Sequence, residues 1–296
     1  MGKTHSFFNQ KGGVGKTTSV VNIATVLAGF GKKILLIDLD SQGNATSGLG
    51  IEKNENESTA YQLLVENSNP IDSIKKTSIE NLWIIPSNAH LAGAEMHLIG
   101  QEKREFVLRE QLKKISDAYD FILLDCPPSL GLISINALTS SSYIIIPLQC
   151  EYYALEGLGQ LLNTYQLVKK NLSAELELGG VILTMADVRT NLTQQVIEEV
   201  RNYFKDKAFQ TVIPRSVKLS EAPSFGKPAV IYDAHNRGSQ AYLELGKEFL
   251  MRFGSDEDRK KLSSNTGTAT TVHDTSAAES EPAPATEKVQ TEQVNS

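Results

Sequence analysis

Residues 9–18 read NQKGGVGKTT, and they decide the fold because they follow a short apolar segment and open an amphipathic one. A glycine-rich turn between a strand and a helix is typical of a phosphate-binding loop with the pattern G-x-x-x-x-G-K-[ST]. This stretch departs from that pattern in two ways. Gln10 stands where a glycine is usual, and Lys11 follows it at once, five positions before Lys16. A second lysine in a phosphate-binding loop therefore needs an explanation.

The remaining residues of the stretch fit phosphate binding. Three glycines allow backbone N–H groups to close around phosphate oxygens. The start of the following helix adds its partial positive charge. We expect Lys16 to reach the β- and γ-phosphates and the Thr17 hydroxyl to bind Mg²⁺. The sequence thus predicts a site for a nucleoside triphosphate with Mg²⁺.

Buried strands alternate with helical patterns along the chain. Runs such as ILLID (34–38) and FILLDC (121–126) are apolar on consecutive positions, which indicates strands covered on both faces. We therefore predict a P-loop NTPase of the α/β class, with a doubly wound, mostly parallel sheet flanked by helices in three layers, α/β/α. The predicted strands are residues 5–9, 33–38, 82–86, 121–126, 143–149, 180–185 and 211–214.

Composition divides the chain into a domain, residues 1–254, and a tail, residues 255–296. The tail is rich in Ser, Thr, Ala, Glu and Pro and carries eight acids against four bases, so we predict that it is disordered. Subtracting its charge of −4 from the total of −6 leaves −2 for the domain, which is compatible with a local basic patch. The polar, glycine-rich residues 42–58 are predicted to form a loop over the site.

Other sequence features exclude several classes of protein. Cys126 and Cys150 lie in or beside apolar runs, so we expect buried thiols and neither a zinc site nor a disulfide framework. The first residues lack the apolar core of a signal peptide. No run reaches the roughly 18 apolar residues of a membrane helix. A cytoplasmic protein without a membrane partner is the expectation.

Aspartates follow two of the predicted strands. Asp38 and Asp40 end one strand and Asp125 ends another, where ligand sites of open α/β sheets lie. Carboxylates two positions apart on a straight strand share one face, so one could approach the γ-phosphate and the other the water shell of the metal. An aspartate that ends a buried strand is also typical of the Mg²⁺ side of NTPases.

These motifs together resemble the ParA/Soj family of chromosome- and plasmid-partitioning ATPases. The resemblance rests on residues 11–18 (KGGVGKTT), 38–46 (DLDSQGNAT), 124–129 (LDCPPS), 149–157 (QCEYYALEG) and 213–224 (IPRSVKLSEAPS). It extends to about residue 254 and favours the chromosomal, Soj-like branch, because no DNA-binding domain precedes the loop. The tail lies outside it.

The resemblance implies a role for each motif. Lys11 would reach across an ATP-bound homodimer to the partner's phosphates, and Asp40 would position the attacking water. Thr17 would bind Mg²⁺ directly, with Asp38 and Asp125 acting through water. Lys11, Lys16 and Asp40 are thus the implied catalytic residues. ATP or ADP would contact Lys11, Gly12, Gly13, Val14, Gly15, Lys16, Thr17, Thr18, Pro214 and Ser216.

The family also implies partners. Its dimers bind double-stranded DNA without sequence preference, and Arg189 and Lys218 occupy the matching positions. A ParB-like centromere-binding protein would stimulate hydrolysis, and the protein would be associated with the nucleoid. Two positions depart from the family pattern, Ser41 for proline and Ser216 for asparagine, and the latter puts a side-chain contact to the base in doubt.

Three alternatives share the nucleotide motifs. A MinD-like membrane ATPase that positions division needs a C-terminal amphipathic helix, whereas here an acidic tail follows residue 254. An electron-transfer ATPase like the nitrogenase iron protein needs thiolates that are available to a cluster. A nucleotide-dependent cytoskeletal scaffold that polymerises on DNA is not excluded by the sequence.

Overall fold

The structure is a computed structural model that describes residues 2–54, 57–151, 154–187 and 189–264. One sheet of eight strands forms its centre, in the order β3-β4-β2-β5-β1-β6-β7-β8. All neighbouring strands are parallel except the pair β3 and β4. The strands are β1 (Lys3–Phe7), β2 (Ile34–Asp38), β3 (Lys75–Lys76), β4 (Leu82–Ile85), β5 (Phe121–Asp125), β6 (Tyr143–Gln149), β7 (Glu177–Ala186) and β8 (Ala208–Pro214).

Helices cover both faces of this sheet. They are α1 (Lys16–Gly29), α2 (Asn44–Gly48), α3 (Ala60–Val65), α4 (Ala94–Ile99), α5 (Val107–Lys113), α6 (Leu132–Thr139), α7 (Ala154–Asn171), α8 (Asn191–Phe204), α9 (Val217–Glu221), α10 (Ala229–Tyr232), α11 (Arg237–Phe253) and α12 (Asp256–Ser264). The cluster under α1 and α11 fills one face, and the cluster under α3 and α5–α8 fills the other. The predicted three-layer, doubly wound fold is confirmed.

The strands form where the apolar runs lie. Every residue of β2 and β5 is buried, as expected for central strands with a helix layer on each side. Parallel pairing places Asp38 of β2 beside Asp125 of β5 at the carboxyl edge. The same edge carries the loop between β1 and α1, so the topology alone gathers the predicted acids and the glycine-rich loop.

Two segments differ from the sequence-based expectation. The predicted loop over residues 42–58 contains the short helix α2. The predicted tail begins with α12, whose Asp258 side chain is buried against Lys32 and whose Leu262 packs on the core. The prediction of a disordered tail from residue 255 is therefore wrong for residues 256–264. The remainder of the predicted tail, 265–296, lies outside the described residues.

A histidine is sealed in the core under α11. His5 of β1 is fully buried, and its ring lies 4.6 to 5.8 Å, between centroids, from those of Phe121, Tyr143, Phe249 and Phe253. Its Nδ1 hydrogen bonds to a backbone carbonyl, while Nε2 has no hydrogen-bond partner among the described residues. Burial lowers the pKa of His5 to about 3, so the folded protein holds this imidazole neutral.

We expect His5 to make stability fall in mild acid. Below pH ~6.5 the His5 imidazole of the unfolded chain binds a proton, whereas in the folded chain it stays neutral down to pH ~3. Stability is therefore lost as the pH falls from ~6.5 to ~3. At pH 5 the loss is about 2 kcal/mol. The test measures the free energy of unfolding in urea for the parent and for His5→Phe, at pH 7.5 and at pH 5. The difference in this free energy between the two proteins should shift in favour of the variant at pH 5. An unchanged difference would refute the assignment, and the exposed His90→Gln variant controls for loss of an imidazole.

Candidate active site

The glycine-rich loop is held on both sides by buried side chains. Gly13 and Gly15 adopt φ angles of 71° and 84°, a left-handed conformation that side chains disfavour. The Asn9 amide donates to a backbone carbonyl of β6, and its oxygen accepts the amide N–H of Lys11. The Thr184 hydroxyl of β7 donates to the Val14 carbonyl at 2.8 Å. The loop is therefore positioned by hydrogen bonds to β6 and β7.

The two lysines of the loop lie in different environments. The Lys16 side chain is buried, its Nζ donates to the Lys11 carbonyl at 3.2 Å, and burial lowers its pKa. Lys11 is 49% exposed, and its Nζ lies 3.2 Å from the Glu151 carboxylate. Lys16 thus points into its own loop, whereas Lys11 stands at the rim and faces outward.

Thr17 and Asp125 form the candidate metal side of the site. The Thr17 hydroxyl donates to Oδ2 of Asp125 at 2.7 Å, while Oδ1 of that buried carboxylate has no partner among the described residues. Burial, followed by the nearby charge of Asp38, raises the pKa of Asp125 well above its usual range. An unpartnered buried carboxylate oxygen beside a hydroxyl is a donor set that suits Mg²⁺, so the residues present fit this ion.

Asp38 has partners that the sequence did not reveal. The carboxylate is fully buried, and it accepts hydrogen bonds from the Asp40 N–H at 3.1 Å and from both the N–H and the hydroxyl of Thr46. Thr46 in turn accepts the N–H of Ser87. Burial raises the pKa of Asp38 to about 6. Its contact with Mg²⁺ through water stays a prediction; in the structure it holds the loop that carries Asp40.

Asp40 lies just beyond the end of β2 rather than on it. Its Oδ1 accepts the Gln42 N–H at 3.0 Å and its carbonyl accepts the Gly43 N–H at 2.9 Å, so the residue begins a tight turn into α2. The side chain is half-buried. The shared strand face predicted for Asp38 and Asp40 is therefore replaced by a turn, in which the first aspartate fixes the backbone of the second.

We expect Thr46→Val to lower ATP turnover about tenfold, because the loss of a hydroxyl that bonds Asp38 and Ser87 costs on the order of 1–3 kcal/mol. The loop that carries Asp40 would then be less well fixed. The Mg²⁺ concentration for half-maximal turnover should not change. Thr25→Val, which removes another buried hydroxyl bonded only within α1, controls for a general loss of stability. Wild-type turnover in Thr46→Val would contradict this role of Asp38.

A cavity of about 640 Å³ joins the loop to the predicted base-binding segment. Gly15, Thr17 and Thr18 line one side, and Pro214 and Ser216 line the other. The Ser216 hydroxyl donates to Oδ1 of Asn236 at 2.8 Å, so its proton is already engaged within the chain. Other lining residues were not predicted from the sequence to contact the nucleotide, and they include Asn44, Ser47, Thr184, Met185 and Lys227.

Thr184 and Met185 were within reach of sequence reasoning, since they end a buried strand at the carboxyl edge, where ligands of open sheets bind. Asn44 and Ser47 lie within the loop that was predicted over the site at residues 42–58, but the structure shows them on the helix α2 instead. The structure thus brings the phosphate and base segments into one cavity and adds α2 as a third wall.

The two residues predicted to contact DNA follow segments that line this cavity. Arg189 is 84% exposed just after β7, and Lys218 lies on α9 after the strand end at Pro214. The N–H of Arg215 donates to the carbonyl of Ala186 and joins the two segments. Each predicted DNA residue is therefore only a few positions away from the nucleotide cavity.

Both thiols are buried, as the sequence predicts. Cys126 follows β5 and Cys150 follows β6. Burial raises the pKa of Cys126 above its usual range and that of Cys150 to about 12. Both thiols lie inside the core rather than at an exposed face, which argues against the cluster-binding alternative.

The fold and the site together define a P-loop nucleoside triphosphatase with a second lysine in its loop. Among the described residues, no helix is both long and apolar enough to cross a membrane. The family model described as an AAA domain matches residues 2–178.

Known proteins give the family. The chain is 57% identical to the sporulation initiation inhibitor protein Soj of Bacillus subtilis, over 84% of this chain and 98% of that protein. It is 48% identical to the chromosome-partitioning ATPase Soj of Treponema pallidum, over 86% and 99%. The chain therefore belongs to the Soj/ParA family of chromosome-partitioning ATPases.

A solved structure supports the same fold. Cobyrinic acid a,c-diamide synthase from Mycobacterium smegmatis, with a bound ATP analogue and magnesium, is 32% identical with a TM-score of 0.75. The alignment covers 86% of this chain and 97% of that one. The predicted family and fold are confirmed.

Proposed function

We propose that this chain is a switch for DNA partitioning, driven by ATP. ATP with Mg²⁺ pairs two copies face to face, and the pair binds double-stranded DNA without sequence preference. Hydrolysis, stimulated by a ParB-like partner, separates the pair and releases the DNA. Membership of the Soj/ParA family supports the partitioning role, and the geometry of the site supports the binding of ATP with Mg²⁺.

The nucleotide would occupy the cavity between the loop and Pro214–Ser216, with its phosphates on the N–H groups before α1. Lys16 would leave the Lys11 carbonyl and turn its ammonium toward the β- and γ-phosphates. Thr17 and Asp125 would hold Mg²⁺, whose positive charge would offset the negative charge of the phosphates during hydrolysis. Asp40 would orient the attacking water. The Asp38 carboxylate, which accepts the Asp40 N–H and is itself held by Thr46, would keep the backbone of Asp40 in place.

The observation that carries the pairing step is the exposure of Lys11. Two triphosphates brought face to face repel each other, and a cation from each subunit offsets this repulsion. Lys16 is buried and serves its own loop, whereas Lys11 is half-exposed at the rim and held by an exposed carboxylate, Glu151. An ion pair of that kind is worth at most about 1 kcal/mol, so a partner's γ-phosphate competes easily for the ammonium.

DNA binding would follow from pairing. Arg189 and Lys218 give two cations per subunit, and a pair doubles them on one rigid body, so the second set binds at high effective concentration. About four phosphate contacts predict a salt slope near −3.6 on a log–log plot. The short distance in sequence from the nucleotide cavity to both residues supports this surface.

The test compares DNA retention with ATP and with ADP in the Asp40→Ala background, in which ATP persists. We expect retention with ATP and little with ADP. Equal retention with both nucleotides would remove the switch. A matched measurement with Arg189→Ala and Lys218→Ala in the same background should lose retention while nucleotide binding remains.

A further inference from the structure

Both cations of the proposed DNA surface are already paired with carboxylates of the same chain. The guanidinium of Arg189 donates through Nε and Nη2 to the two carboxylate oxygens of Asp187, at 2.8 and 2.7 Å. The ammonium of Lys218 lies 2.9 Å from the Glu221 carboxylate. Each basic residue therefore meets DNA with an anion in place.

The pair formed by Arg189 has the geometry of a phosphate contact. Guanidinium binds carboxylate and phosphate through the same fork of two parallel N–H bonds, so one edge of the group cannot hold both anions fully. Asp187 is fixed for this contact, since its Oδ1 also accepts the N–H of Arg189 and its carbonyl accepts the Thr190 hydroxyl. With Arg189 84% exposed, a DNA phosphate reaches the guanidinium but meets this carboxylate beside it.

Glu221 is held in a similar way on α9. Its carboxylate accepts from Lys218 and lies 3.5 Å from the Tyr232 hydroxyl, while the Lys218 ammonium stands over the Tyr232 ring at 5.5 Å from its centroid. The lysine is thus shared between a carboxylate and an aromatic face. A phosphate that approaches it has to overcome the charge of Glu221.

We propose that Asp187 and Glu221 compete with DNA phosphates for Arg189 and Lys218, and so limit the affinity of a single subunit for DNA. This inference rests on the proposed DNA binding. An exposed ion pair is weak, so each carboxylate weakens binding without preventing it. A single subunit then binds DNA too weakly to be retained, while the dimer, with twice as many contacts, is retained. The carboxylates sharpen the dependence of DNA binding on ATP.

The substitutions that test this remove charge and keep shape. Asp187→Asn retains the oxygen that accepts the Arg189 N–H, so the turn before α8 is preserved. Glu221→Gln retains an acceptor for the Tyr232 hydroxyl. Glu110→Gln is the matched control, because Glu110 forms an exposed pair with Lys113 at the same three-residue spacing on α5. It reports the effect of lowering the net negative charge alone.

The affinity of each variant for a short random-sequence duplex is measured by fluorescence anisotropy, in the Asp40→Ala background with ATP and Mg²⁺. We expect Asp187→Asn to raise the affinity for DNA about threefold per subunit. The affinity of the dimer, in which two subunits contact the duplex, should therefore rise roughly tenfold. Glu221→Gln should act in the same direction, and Glu110→Gln should bind like the parent. With Arg189→Ala added, the gain from Asp187→Asn should disappear, because the carboxylate acts through the arginine.

The outcomes separate this inference from the proposed function. If the Asp40→Ala parent does not bind the duplex with ATP, the proposed DNA binding fails and the inference falls with it. If the parent binds but Asp187→Asn and Glu221→Gln bind no better than Glu110→Gln, only the competition is refuted. A gain from Asp187→Asn that persists in the Arg189→Ala variant also refutes it, since the effect would then be one of overall charge.

Discussion

Replacing Asp40 by alanine should lower ATP turnover by about 100-fold or more, because a positioned carboxylate that orients and activates water contributes on that order. Nucleotide binding should persist, since the loop, Lys16 and Thr17 are untouched. Pairing should persist too, and become longer-lived, because the γ-phosphate is no longer removed. The measurement is phosphate release per subunit at saturating ATP, together with the affinity for a fluorescent ATP analogue.

Asp72→Ala is the control for this variant, since it removes an exposed carboxylate on the short turn before β3 that does not line the cavity. It should turn ATP over like the parent. Turnover within threefold of the parent in Asp40→Ala would show that another group orients the water. The most direct substitute is Asp38, whose carboxylate accepts the Asp40 N–H.

Replacing Lys11 by alanine should abolish ATP-dependent pairing while leaving ATP binding by the single subunit within a few-fold of the parent. The Lys11 side chain is half-exposed and contacts Glu151, so its removal leaves no buried group without a partner. The backbone carbonyl that receives Lys16 remains in the variant. DNA retention should fall together with pairing, because both depend on the second subunit.

Two further variants bracket this result. Lys16→Ala should fail earlier, at nucleotide binding, since its ammonium is the one directed at its own loop. Lys33→Ala removes an exposed lysine just before β2, at the opposite edge of the sheet, and should pair like the parent. The contrast between positions 11 and 16 separates binding within a subunit from binding across two.

The sequence predicts the fold well because the strongest local signals agree with one another. The runs ILLID and FILLD are buried over their whole length. Burial of consecutive strand residues requires cover on both faces, which a parallel sheet between two helix layers provides. That sheet then places Asp38 beside Asp125 by register. The phosphate loop, Thr17 and the acids are therefore predictable as a group, since topology brings them together.

The rest depends on contacts between distant parts of the chain. The hydrogen bonds from Ser87 to Thr46 and from Thr184 to Val14 join residues with no shared motif. The edge strand β3 is two residues long and consists of lysines, which carry no apolar pattern. Such pairing is a tertiary effect that local propensity does not reveal.

The helix α12 was missed for a different reason. Its composition is charged and lacks an apolar face, so composition assigned it to the tail. A local signal was present, however, because Ser255 and Asp258 exchange hydrogen bonds as a capping box at the start of the helix. The pair of Lys32 with Asp258 then docks it. At this boundary the capping residues predict the helix better than the amino-acid composition does.

The central claim is that a lysine from each subunit holds the other subunit's triphosphate. The most direct test is the mass in solution, by sedimentation, of Asp40→Ala and of the double variant Asp40→Ala/Lys11→Ala, each with ATP and Mg²⁺. We predict that the first sediments as two copies of the 32.4 kDa chain and the second as one. A double variant that binds ATP and still sediments as two copies would contradict the account.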